Sequence, residues 1–152
     1  MISKVRKTAI GLVLVAAGLT AAPAAQATTA SPEAPTCTVA HFCFYFNSNY
    51  AGAYADYLKS DGNLDNETFN KVGTTNRGLG EVVKNHAASV YNNWSYQATV
   101  YYNSGCNGSY ASQSFAPYHS GNLNATMKNN NASFDWPSSY GEYSDCGLRD
   151  QF

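Results

Sequence analysis

The sequence predicts an all-β, disulfide-bonded sandwich built from two similar halves, and three observations carry that reading. One phrase occurs twice: Tyr45-Phe46-Asn47-Ser48-Asn49-Tyr50-Ala51-Gly52 is echoed by Tyr101-Tyr102-Asn103-Ser104-Gly105-Cys106-Asn107-Gly108. Each copy has a second echo, Asn85-His86-Ala87-Ala88-Ser89 and then Asn129-Asn130-Asn131-Ala132-Ser133. A unit of this length is too short to close its own core, so the two copies are expected to complete one another. The second observation is composition. Aromatic residues make up 14% and charged residues only 12%, which favours strands over helices. The third is punctuation: short apolar runs alternate with Gly, Asn and Ser, as in a sandwich of short strands.

In chain order, residues 1–27 read as a secretory signal peptide. Lys4, Arg6 and Lys7 precede a short apolar run, and Ala25-Gln26-Ala27 is a small-x-small cleavage site. The run falls short of the roughly 20 residues that span a membrane. Without this segment six Lys and Arg face ten Asp and Glu, a net charge of −4. That balance disfavours nucleic acid or an anionic membrane as partner, since both need a basic face. Residues 28–36 read as a flexible N-terminus. Four cysteines in an exported chain imply disulfides. Cys37 and Cys43 form the natural local pair, which leaves Cys106 with Cys146. Their spacing is not that of a zinc site.

The domain proper is expected over residues 37–137. Residues 42–47 read as a buried strand, broken at Ala51-Gly52, with a partner strand over 53–58. Residues 59–84 are polar and Gly-containing, mostly loop, with one short strand near 68–72. Residues 87–91 form the next strand and 92–96 a connection. Residues 98–103 and 109–115 make the second hairpin, 117–123 a loop, and 132–136 the closing strand. Residues 138–152 read as a tail tied down by Cys146.

The repeated residues have a physical rationale. A strand enters a hairpin that folds back over its own sheet; an aromatic covers it, and Gly accepts a backbone angle costly to any residue with a Cβ. A later Ser is expected to satisfy orphan backbone in that hairpin, whose burial unpaired costs about 1–3 kcal/mol. This pattern resembles the Greek-key signature of βγ-crystallins. Tyr45, Tyr50, Gly52 and Ser89 match in the first key, and Tyr101, Gly108 and Ser133 in the second, where Cys106 replaces the second aromatic. The fold implied is a βγ-crystallin-like double Greek-key sandwich. The early Cys-x5-Cys, Phe-Tyr-Phe-Asn-Ser-Asn-Tyr-Ala-Gly, Val-Lys-Asn-His-Ala-Ala-Ser and Val-Tyr-Tyr-Asn-Ser also resemble secreted peptidase inhibitors of the Streptomyces metalloproteinase inhibitor type.

The resemblance implies an extracellular metallopeptidase as partner, met by a rigid substrate-like loop whose preorganisation lowers the ordering cost of binding. The family's reactive bond follows a Cys in the second half, so its counterpart here is Cys106-Asn107. Two departures stand out: Cys106 has only the distant Cys146 to pair with, and Asn107 is not a large apolar residue. The 59–84 loop is a second candidate for a binding edge. A monomer is expected.

The alternative reading is a βγ-crystallin-type calcium-binding module, or one binding glycans or surfaces, without inhibitory activity. The family's metal motif is matched by Asn129, Asn130 and Ser133 in all but its last place. Calcium prefers carboxylates, absent from this stretch, so no cofactor is required and calcium binding is expected to be weak. The exposed tyrosines, with Trp94 and Trp136, are the candidates for stacking on sugars. No catalytic residues are assigned. His41, His86 and His119 are scattered, His86 is expected to be half-buried, and no His-Glu-x-x-His, Gly-x-Ser-x-Gly or phosphate loop occurs.

Overall fold

The computed structural model describes residues 36–136 and Cys146. The expected signal peptide, the 28–35 stretch and the tail beyond 137, apart from Cys146, lie outside the described residues. Seven strands appear: β1 (Phe42–Tyr45), β2 (Tyr54–Tyr57), β3 (Ser89–Asn92), β4 (Ala98–Tyr101), β5 (Ser112–Phe115), β6 (Ser120–Asn122) and β7 (Ser133–Asp135). Short 3-10 turns occur at Ser48–Tyr50 and Leu64–Asn66. All pairings between strands are antiparallel. One sheet has the order β2-β1-β3-β6 and the other β5-β4-β7.

The two halves exchange strands. β6 belongs to the second repeat, yet it pairs with β3 of the first, with Ser89 opposite Asn122 and Tyr91 opposite Ser120. In return Asp61, from the first repeat, bridges Phe134 on β7 through backbone bonds of 3.0 and 2.9 Å. The expectation that the copies complete one another therefore holds at the level of hydrogen-bond ladders.

β6 corrects the sequence reading, which made 117–123 a loop. Ser120-Gly121-Asn122 has neither the alternation nor the bulky side chains of a strand; the ladder to β3 imposes the conformation. Residues 68–72 do not form a strand of their own. They make isolated bridges: Tyr54 to Lys71 lays this segment against β2, and Thr68 to Val82 pairs it with a later part of the same loop. β3 begins at Ser89, two residues later than expected, and takes in Asn92.

β1 is buried on both faces, and period-two alternation assigns its side chains. Phe42 and Phe44 face the other sheet. Phe42 stacks on Phe134 with centroids 4.9 Å apart, and Phe44 and Tyr57 meet Phe134 edge-on at 5.4 and 5.2 Å. Leu64, Phe69, Val83, Val90, Val100 and Met127 fill the rest of this core. On the other face Cys43 and Tyr45 pack with Tyr54 under Cys37, Tyr50 and Tyr91. The Cys37–Cys43 disulfide closes that side, and the Tyr45 hydroxyl donates to the Thr36 carbonyl at 2.6 Å. Burial pushes the Tyr45 and Tyr57 phenols far above their usual range. Trp136 is buried in this core, and Trp94 is half-buried against it.

Candidate functional site

Each hairpin turn is fastened by the serine that its repeat supplies later in the chain. The Ser89 hydroxyl accepts from the Tyr50 amide at 3.0 Å and donates to the Asn47 carbonyl at 2.6 Å. The Ser133 hydroxyl does the same in the second copy, accepting from the Cys106 amide at 3.0 Å and donating to the Asn103 carbonyl at 2.7 Å. Cys106 thus occupies the structural place of Tyr50. Both serines are fully buried. The turn geometry also repeats: Asn49 and Tyr50 have φ of 57° and 61°, Gly105 and Cys106 70° and 51°. One expectation fails here. Gly52 takes a positive φ of 86°, but Gly108 does not, and a Cβ there would meet only the Tyr101 ring at an ordinary 3.6 Å. The second turn has already used its left-handed residues at Gly105 and Cys106.

The two Asn-led stretches meet each other. The Asn85 amide donates to the Asn131 carbonyl at 2.7 Å, and the Asn129 amide to the Ala87 carbonyl at 2.9 Å. The buried Asn131 side chain adds bonds to the Ala87 amide and the Val83 carbonyl. These residues join the repeats across their interface, a structural duty that accounts for their polarity.

The loop after β4 is firmly rooted and openly displayed. Cys106 is held by Ser133 and by a disulfide to Cys146, and the Gly105 amide donates to the Gly62 carbonyl at 2.7 Å. The Tyr102 amide donates to the Ala111 carbonyl, closing the base. From Asn107 to Tyr110 every residue is exposed. The Asn107 side chain accepts from the Ser109 amide at 2.8 Å, and this local bond shapes the tip. Tyr110 is 70% exposed, with its ring 4.6 Å from that of Tyr102. This tyrosine carries the loop's large apolar side chain, which the sequence reading sought at Asn107. At the root, Tyr101 donates to Asp135 at 3.0 Å. Burial, then the Asp135 charge and hydrogen bond, push the phenol up to about 12. Burial likewise raises the Asp135 carboxyl, against the pull of that bond.

The residues proposed for metal do not form one ligand set. The Ser133 hydroxyl is committed to the loop backbone, and the Asn130 amide donates to the Thr126 and Lys128 carbonyls. Asn129 instead lines a cleft of about 350 Å³ with Phe46, Asn47, Ser48, Arg77, Asn85, His86, Ala88 and Lys128. That lining offers no carboxylate, and two permanent cations stand in it, so the donor set does not fit a divalent metal. His86 is exposed at this cleft rather than half-buried, and its Nδ1 donates to the Lys84 carbonyl at 2.9 Å. Cys106, Asp135 and Cys146 also cluster, but both sulfurs are spent in the disulfide. No helix among the described residues is long and apolar enough to cross a membrane.

Two interlocked Greek keys presenting serine-pinned turns on a rigid sandwich define a βγ-crystallin-like domain. A solved domain from work on the evolution of the eye-lens βγ-crystallin domain fold is similar to it, with 9% identity and a TM-score of 0.53, covering 69% of this chain and 91% of that one. A βγ-crystallin domain from Flavobacterium johnsoniae shows 23% identity and a TM-score of 0.45, covering 63% and 92%. No curated protein matches the chain. Within this fold the chain belongs to peptidase inhibitor family I36, whose model matches residues 30–113. It is a peptidase inhibitor family protein and not an enzyme.

Proposed function

We propose that this chain is a secreted, monomeric inhibitor of extracellular metallopeptidases, and that it presents residues 105–110 to the peptidase cleft. The observation that carries the proposal is the contrast within this loop. Cys106 is fixed by a disulfide and a buried serine, while Asn107 to Tyr110 stand exposed beside it. A loop already ordered in the free protein gives up little conformational freedom on binding. Membership of the inhibitor family supports a peptidase as partner, and the leader-like N-terminal sequence and the disulfides support export.

The test is titration of a thermolysin-like metallopeptidase with the oxidised protein, its Asn107→Pro variant and its Tyr110→Ala variant. Stoichiometric inhibition that weakens in both variants supports the proposal. Inhibition equally strong in both removes the 105–110 loop from the contact and points to the 59–84 loop. Absence of inhibition with micromolar protein excludes this class of target.

A further inference from the structure

The cleft between the two repeats has the opposite electrostatic character from the rest of the molecule. Residues 28–152 carry net negative charge, yet Arg77, Lys128 and His86 converge on one cavity of about 350 Å³. The two repeats carry equivalent Lys-Asn pairs, Lys84-Asn85 and Lys128-Asn129, but of the two lysines Lys128 lines the cleft. Lys84 is answered by Asp65 at 3.5 Å and by Asn63 at 2.9 Å. Its counterpart Lys128 donates to the Ser48 hydroxyl at 2.8 Å. Lys71 is likewise answered, by Asp56 at 2.6 Å. Among the described residues, neither Arg77 nor Lys128 has an acidic partner.

We infer that this cleft is a binding site for a carboxylate, such as an acidic side chain or a chain terminus of a partner molecule. Arg77 and Lys128 supply the charge, and Asn47, Asn85 and Asn129 line the cleft as neutral polar residues. Asn85 and Asn129 hold φ of 63° and 58°, fixed by their paired backbone bonds across the repeat interface, so the walls are preset. The cavity is large enough for a side chain. The site shares no residue with the 105–110 loop, and it goes beyond the inhibitor reading rather than resting on it.

The test is titration of the 15N-labelled protein with sodium succinate at constant ionic strength, with sodium chloride as the control. The expected result is saturable shifts of the Asn47, Ser48, Asn85, His86 and Asn129 amides with succinate and not with chloride. In the Arg77→Gln/Lys128→Gln double variant these shifts are expected to be lost while the rest of the spectrum is kept. Both side chains are exposed, so the variant retains its core. Linear shifts shared with chloride, or saturation unchanged in the double variant, would overturn the inference. So would calcium chloride moving the same amides to saturation.

Discussion

The buried Ser133 hydroxyl holds the Cys106 amide at 3.0 Å, and Ser89 holds Tyr50 at the same distance in the other repeat. Each serine also donates back to the carbonyl three residues before its partner. Ser89→Ala and Ser133→Ala are each expected to cost about 1–3 kcal/mol, because the orphaned amide and carbonyl lose their partner. Urea denaturation measures both losses. Ser133→Ala alone is expected to weaken peptidase inhibition as well, since only that serine roots the 105–110 loop. Equal inhibition by the two variants would dissociate the loop from the contact.

Gly78 and Gly80 separate two effects of adding a methyl group. Both have φ near +85°, at 84° and 85°. A Cβ on Gly80 meets nothing within 4 Å, so Gly80→Ala carries only the left-handed backbone cost of roughly 1–2 kcal/mol. A Cβ on Gly78 falls 2.1 Å from Cγ of Phe46, a ring packed on Phe69. Gly78→Ala is expected to cost a further 1–3 kcal/mol or so by overpacking. Thermal unfolding of the two variants side by side reads the difference.

Two carboxyls are expected to respond to pH with opposite sign. Burial raises the Asp56 carboxyl, but hydrogen bonds from Lys71 and Thr38 and the Lys71 charge outweigh it and hold the group below its usual 3.8. Ionised Asp56 therefore stabilises the fold above that value, and its contribution disappears as pH falls through the lowered native pKa. Asp135 is raised by burial, so the native state keeps its proton longer than the unfolded chain does. Its favourable contribution is complete below 3.8 and is lost as pH rises through the raised value. Asp56→Asn is expected to lower Tm at neutral pH and to matter little in acid. Asp135→Asn is expected to raise Tm at neutral pH while its Oδ1 still accepts from Tyr101. Tm profiles from acid to neutral pH check both signs.

Removing the Cys106–Cys146 bond, by Ala at both positions, releases a crosslink spanning 40 residues. The loop-closure model gives about 4 kcal/mol for a loop of that length. Guanidinium unfolding measures the loss, and the same variant is expected to inhibit less well because the backbone at position 106 then keeps the Ser133 hydrogen bond without the covalent tie. A variant as stable and inhibitory as the parent would make the tail crosslink dispensable.

Much of this architecture is legible in the sequence because it rests on side chains that recur. Tyr45, Ser89, Ser133 and the replacement of Tyr50 by Cys106 were readable as one device used twice, since a repeated hydroxyl implies a repeated backbone need. The dense aromatic run at β1 was readable as a buried strand, though not that both of its faces are covered. The strand exchange was not. Ser120-Gly121-Asn122 and Asp61 carry no periodic pattern, and their conformation is set by ladders to distant partners. Gly108 misled because sequence alignment of the repeats does not reveal that Gly105 already supplies the turn's freedom. Arg77 and Lys128 escaped notice for a related reason. They are far apart in sequence and belong to different repeats, so only the closed interface brings them together.

The crosslink from Cys106 has a consequence for the fate of the loop under attack. If a peptidase severs the bond between Cys106 and Asn107, the upstream piece ends in a cysteine still joined covalently to the downstream piece through Cys146. The pieces are also interleaved, because β6 of the downstream piece lies beside β3, and β5 and β7 flank β4. A nicked molecule would therefore stay in one piece, with Cys106 fixed in place and the new amino terminus tethered at the loop base by Ala111. Hydrolysis in this loop would then leave the inhibitor intact as an object while changing only one bond.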